Sequence, residues 1–128
     1  GCNFDPSHLW WNGVDPVEAI RALGPAIFHV HGKDCALDAH NIRVNGCNDH
    51  KAYDRILERA WTFRSIGYGH DAAVWRAIVS MLRLVGYDYV ISIEHEDALM
   101  STDEGLAKGI ALLQEVVMAA APGEMFWA

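Results

Sequence analysis

The chain lacks most of the features that would place it in a special class. It has no run of the roughly 18 apolar residues that a membrane-spanning helix needs, and no basic start leading into an apolar stretch that would direct secretion. A soluble protein of the cytoplasm is therefore the expectation. Cysteine is scarce. Cys2, Cys35 and Cys47 are odd in number and contain no Cys-x-x-Cys pair, which argues against a disulfide framework or a thiolate zinc site; unpaired thiols fit a reducing compartment. Positive charge is scarce too: Lys and Arg total 10 against 17 Asp and Glu, for a formal net charge of -7. The closest basic cluster, Arg55, Arg59 and Arg64, is interleaved with Asp54 and Glu58. A field of that sign repels phosphate backbones, so neither nucleic acid nor a membrane is an expected partner. Low-complexity segments are absent as well.

What is present is ordinary globular material, 52% hydrophobic and 21% charged over 128 residues, which implies one domain around one core. The chain opens on Gly1 rather than Met and runs directly into Cys2-Asn3-Phe4, so it reads as a piece of a longer protein.

Three short apolar runs, each followed by a polar loop and a helical pattern, predict βα units and a parallel sheet. Strands are expected at about 1–5, 26–31 and 89–94, and helices at about 16–23, 71–85 and 102–119. Asp15 and Pro16 mark the first helix as N-cap and first helical residue. Val74, Ile78, Met81, Leu82 and Val85 form the face of the second, which Gly86 ends. Ser101 and Glu104 have capping-box spacing at the start of the third, whose stripe is Leu106, Ile110, Leu113 and Val117. Between His31 and about Ala52 the sequence has little periodicity and predicts a long loop, with a short helical stretch around 53–60 before the turn Gly67-Tyr68-Gly69.

Side chains alternate across a strand, and the two sets differ sharply here. Phe4, Phe28, Val30, Ile91 and Ile93 form an apolar face; Asn3, Asp5, His29, His31, Ser92 and Glu94 form a polar one. In parallel α/β folds functional groups gather at the C-terminal strand ends, where Asp5, His31 and Glu94 stand. Polar groups converging there are costly to bury without a shared partner, and a cation is the simplest one. Two carboxylates and an imidazole suit Mn²⁺, Mg²⁺, Co²⁺ or Zn²⁺ and leave room for substrate oxygens.

Taken in order, Asn3-Phe4-Asp5-Pro6-Ser7-His8, Phe28-His29-Val30-His31-Gly32-Lys33-Asp34, Gly67-Tyr68-Gly69 and Ser92-Ile93-Glu94-His95-Glu96-Asp97 resemble the sugar phosphate isomerases and epimerases with xylose-isomerase-like TIM barrels. The similarity runs from Gly1 to about Val117 and corresponds to the sixth, seventh and eighth βα units of a (β/α)₈ barrel, hence a partial barrel. The resemblance implies a divalent metal held by Asp5, His31 and Glu94, with His8 on a substrate oxygen and Glu94 also one of two acid/base carboxylates. A fourth ligand, a glutamate ending the fifth strand in that family, falls outside this chain. The implied chemistry is proton transfer beside a metal-chelated carbonyl of a sugar or polyol. A homo-oligomer is compatible with it.

Each residue has a plainer reading beside this one. Asp5 fits a turn cap in Asp5-Pro6-Ser7, and His31 alone would pass as an ordinary strand-end histidine. Glu96 competes with Glu94, which is preferred because it ends the apolar run directly. His29 reads as supporting the site from beneath, His95, Glu96 and Asp97 as loop residues, and Lys33 and Asp34 as pairing with each other or with the loop. Arg64 could reach a substrate phosphate or carboxylate or be a surface arginine. Trp10 and Trp11 fit a sugar pocket or a subunit contact. The family's ketose epimerases carry a substrate arginine shortly after the metal histidine, where this chain has Leu37 and Asp38. Rival readings are an inosose-type dehydratase, an apurinic endonuclease of the same superfamily, against which the -7 charge counts, and a catalytically incomplete fragment.

Overall fold

Strand–helix alternation demands parallel pairing, and the computed structural model, which describes residues 1–127, contains it. Strands β1 (Cys2–Phe4), β2 (Ile27–Gly32) and β5 (Ile91–Ile93) form a parallel sheet in the order β1-β2-β5. Helix α1 (Ser7–Trp10) follows β1 at once, then α2 (Pro16–Leu23). Asp15 caps α2 by accepting from the Val17 and Glu18 amides.

The stretch after His31 is not the loop that its weak periodicity predicts. It folds as β3 (Asp34–Leu37), helix α3 (Ala39–Asn45), a 3₁₀ turn at Ile56–Glu58 and β4 (Trp61–Arg64), and β4 pairs antiparallel with β3 in a separate two-stranded sheet. The hairpin has its own small core of Cys35, Ala60, Trp61 and Phe63. Its connection is tied down by Asp49, which accepts from the amides of Lys51 and Ala60. These two amides and the Lys51 ammonium hold the Asp49 carboxyl down to about 2, chiefly the Lys51 amide bond, against the opposing effect of burial.

Helices α4 (Ala72–Leu84) and α5 (Thr102–Val116) cover one face of the parallel sheet. Trp75, Ile78, Val79, Met81 and Leu82 are the buried line of α4, and each apolar side chain so removed from water contributes roughly 1.5–3 kcal/mol. In α5 the buried line is Gly105, Gly109 and Val116, one position round from the expected stripe, so Ile110 and Val117 lie exposed. The glycines are the reason: a Cβ at Gly105 would stand 2.2 Å from the His95 ring, and one at Gly109 3.2 Å from Ile93, so the helix lies against β5 on its glycine edge. It ends three residues before the expected 119: Val117 is extended, and the carbonyls of Met118 and Ala120 beyond it accept from the Arg83 guanidinium of α4.

Phe28, expected on the apolar face beside Val30, is 67% exposed. A register irregularity sets Cys2 against Ile27 and Asn3 against His29, so one extra residue of β2 reverses the alternation and Ile27 takes the buried place. The outer strands are also shorter than expected: Tyr89 and Val90 precede β5 and are exposed.

Candidate metal centre

Asp5 follows β1 immediately, and Pro6 turns the chain into α1. Its Oδ1 accepts from the Ser7 amide at 2.9 Å and the Ser7 hydroxyl at 2.7 Å, so the turn-cap reading holds for that oxygen. Oδ2 stands free of the turn, 3.5 Å from His31 Nδ1 and 3.6 Å from His8 Nε2. His31 projects from β2 with Nδ1 2.6 Å from Glu94 Oε2, while its Nε2 faces the Asn3 side-chain amide nitrogen at 3.2 Å. Glu94 follows β5, placed by its own amide donating to the Gly32 carbonyl at 3.3 Å. One ligand atom from each of Asp5, His31 and Glu94 lies within 4.8 Å of the other two.

Lys33 sets the charge beneath this cluster. Its side chain is 2% exposed, with Nζ 2.9 Å from Glu94 Oε1 and 2.7 Å from Glu96 Oε2. Burial acts to lower the Lys33 pKa, but the bonds from Glu96 and Glu94 outweigh it and the net direction is up. The same contact lowers Glu94, with the Lys33 hydrogen bond as the largest cause and burial opposing it. Three carboxylates, Asp5, Glu94 and Glu96, thus gather around one ammonium, and a divalent cation at the point shared by Asp5, His31 and Glu94 fits both the charge deficit and the donor chemistry. Ligation through Nδ1 requires Nε2 to carry the proton, in which case Asn3 would present its carbonyl oxygen to that nitrogen.

His8, 53% exposed, lies against the cluster through Asp5 and edge-on to Phe63 at 5.2 Å. Arg64 donates through Nε to both oxygens of Asp97, each at 3.1 Å, and Asp97 also accepts from the Ser65 amide. His29 bonds Ser92 Oγ at 2.7 Å, one step below His31. Trp10 stacks on His70 with centroids 3.9 Å apart, and Trp11 on Trp61 at 4.9 Å; both are packing residues between α1 and the hairpin side of the molecule. Leu37 ends β3, and Asp38 caps α3 by accepting from Asn41.

Lys33 and Asp34 do not pair with each other. Lys33 turns to Glu94 and Glu96, while Asp34 is buried and accepts from the amides of Cys35, Gly67, Gly69 and His70, from His70 Nδ1 and from Trp75 Nε1. The signal for both was the pair of adjacent opposite charges directly after the strand. An apolar groove of about 830 Å³ lies elsewhere, lined by Leu82, Tyr87, Tyr89, Ile91 and Leu113 near the start of β5; it holds none of the cluster. No helix among the described residues is long and apolar enough to cross a membrane.

The sequence profile of the xylose isomerase-like TIM barrel family matches residues 1–116. The chain is also 38% identical over 117 residues to an uncharacterized protein of Bacillus subtilis strain 168, YfiH. That match takes in 91% of this chain and 37% of the relative, so the chain spans little more than a third of that protein's length.

Proposed function

The chain belongs to the xylose isomerase-like TIM barrel family, and from that premise we propose that it supplies the last three βα units, and most of the metal centre, of a divalent-metal-dependent isomerase or epimerase. The substrate class is a small sugar, sugar phosphate or polyol with a carbonyl beside a hydroxyl, and the setting is the cytoplasm. The observation that carries the proposal is the meeting of Asp5, His31 and Glu94 at one point, from the ends of three neighbouring parallel strands.

Asp5 Oδ2, His31 Nδ1 and Glu94 Oε2 would hold the cation, Mn²⁺, Mg²⁺, Co²⁺ or Zn²⁺. Bound there, it supplies Lewis-acid polarisation of a substrate carbonyl. Glu94 would also take up or return the proton of the adjacent carbon, through Oε2, since Oε1 is held by the Lys33 ammonium; a carboxylate in this role contributes about 10²–10⁴-fold. His8, exposed at the rim and held toward the cluster by Asp5, bonds a substrate hydroxyl through Nε2. Arg64 offers an anionic substituent its terminal nitrogens, since Nε is engaged by Asp97. The deep placement of Lys33 between two glutamates leaves no net basic surface, and phosphodiester substrates fit the site less well than neutral or singly anionic ones.

The test is metal analysis and kinetics on the full-length protein containing this chain. Stoichiometric divalent metal that is lost in His31→Ala, and a fall in turnover of about 100-fold or more in Glu94→Gln, are expected; unchanged turnover in Glu94→Gln removes Glu94 from the mechanism. Product analysis separates isomerisation or epimerisation from dehydration, which would release an unsaturated or deoxygenated product.

A further inference from the structure

Both carboxylates of the centre commit one oxygen to the scaffold. Asp5 gives Oδ1 to the Ser7 amide and hydroxyl, at 2.9 and 2.7 Å. Glu94 gives Oε1 to the Lys33 ammonium at 2.9 Å. In each case only the second oxygen turns to His31. Lys33 is confined in turn: it is 2% exposed, Glu96 Oε2 lies 2.7 Å from Nζ, and the Phe63 ring centroid is 4.0 Å away. Its three donors therefore face two carboxylates and an aromatic face, and a buried ammonium so surrounded has no other low-energy place to go.

We propose that Lys33 is the positioning residue of the metal centre, fixing Glu94 as a ligand that offers Oε2 alone. The proposal rests on the metal-centre reading of the cluster. A glutamate with both oxygens free can chelate a cation through both and take two coordination positions. With Oε1 clamped it takes one, and the position so released is available to a substrate oxygen. Glu96 is the second anchor: without it Lys33 would answer to Glu94 only, and the ammonium could follow that carboxylate instead of holding it. The adjacency Gly32-Lys33 makes this possible, because the chain leaves β2 directly beneath the end of β5, where Gly32 pairs with Ile93 and accepts from the Glu94 amide.

The experiment is a crystal structure of the full-length protein with Mn²⁺, together with Co²⁺ titration of wild type, Lys33→Met and Lys33→Arg followed by visible absorption. Mn²⁺ bound by Glu94 Oε2 only, with Lys33 Nζ still on Oε1, is expected. In Lys33→Met the Co²⁺ band shifts and weakens as a further oxygen enters the coordination sphere, whereas Lys33→Arg, which keeps the charge and the donors, retains the wild-type band. A bidentate Glu94 in the wild-type complex overturns the assignment, as does a wild-type Co²⁺ band in Lys33→Met. Should Lys33→Met not fold, the Mn²⁺ complex of the unaltered protein decides alone. Failure of either ion to bind at Asp5, His31 and Glu94 overturns the metal-centre reading itself, an outcome distinct from an ion bound with the wrong glutamate geometry.

Discussion

Replacing Asp34 by Asn tests the hub that joins the hairpin to α4. Oδ2 of Asp34 accepts from the Gly67, Gly69 and His70 amides and from Trp75 Nε1, at 2.9–3.2 Å, while Oδ1 accepts from the Cys35 amide and His70 Nδ1, both at 2.8 Å. An asparagine placed with its carbonyl on the four-donor side keeps four bonds. Its amide nitrogen then confronts two donors: His70 escapes by changing tautomer, and the buried Cys35 amide does not. One unsatisfied buried donor costs about 1–3 kcal/mol, and turning charge-assisted bonds into neutral ones removes roughly another 1 kcal/mol, for a total near 3 kcal/mol. Urea unfolding of the full-length protein carrying Asp34→Asn should register that loss. Amide exchange monitored by NMR should accelerate most at Cys35, which loses its acceptor, and to a smaller degree at Gly67, Gly69 and His70, before it does in α4. A loss below about 1 kcal/mol, or exchange at those amides unchanged, would refute the view of Asp34 as the hub.

Other consequences are more local. Burial, and secondarily the Asp34 charge, pushes the Cys35 thiol up to about 12, and the residue is fully buried; iodoacetamide at pH 8 should therefore label Cys47 in the native protein and leave Cys35 unmodified until denaturant is added. The Asp49 carboxyl, held to about 2 from an ordinary 3.8, contributes stability that is fully present above pH 4 and is lost as pH falls through 2. Asp49→Asn should flatten the acid limb of the stability profile in that window, as read by urea midpoints between pH 5 and 2. A Cβ at Gly69 would lie 2.4 Å from the Cys35 carbonyl oxygen, so Gly69→Ala should destabilise by about 1–3 kcal/mol, measured by the same unfolding assay.

Much of the centre could be read along the chain because its three ligand candidates end strands, and a strand fixes the direction of its last side chain by simple alternation. Asp15 and Ser101 were legible for a similar reason: an N-cap bonds within three residues of itself. What escaped depends on separation. Lys33 meets Glu94 across 61 residues, and Asp34 meets His70 across 36, distances over which periodicity carries no information. The hairpin of β3 and β4 escaped because its strands are four residues each and are separated by a connection rich in Asn, Asp and Gly. A single bulge moves Phe28 off the apolar face, and the stripe on α5 is displaced because a pattern of large apolar residues passes over Gly105 and Gly109, which are the contact surface.

The sheet bears on how this polypeptide behaves alone. A parallel sheet is stable when both faces are covered and its edges are paired, yet β1 and β5 are both edge strands here. Tyr89, 67% exposed, and the apolar groove of about 830 Å³ lie along the β5 border, while Phe28, equally exposed, stands on the central strand β2. In a closed barrel, edges of this kind disappear. The 128-residue polypeptide expressed by itself should therefore bind a hydrophobic dye and associate with rising concentration, as followed by light scattering. The same residues within a longer chain that supplies neighbouring strands should do neither. A polypeptide that stays monomeric at about 100 μM and unfolds cooperatively without dye binding would mean that the exposed borders are tolerated. The groove would then be a surface evolved to face solvent or a ligand, and strands beyond β1 and β5 would be unnecessary to the fold.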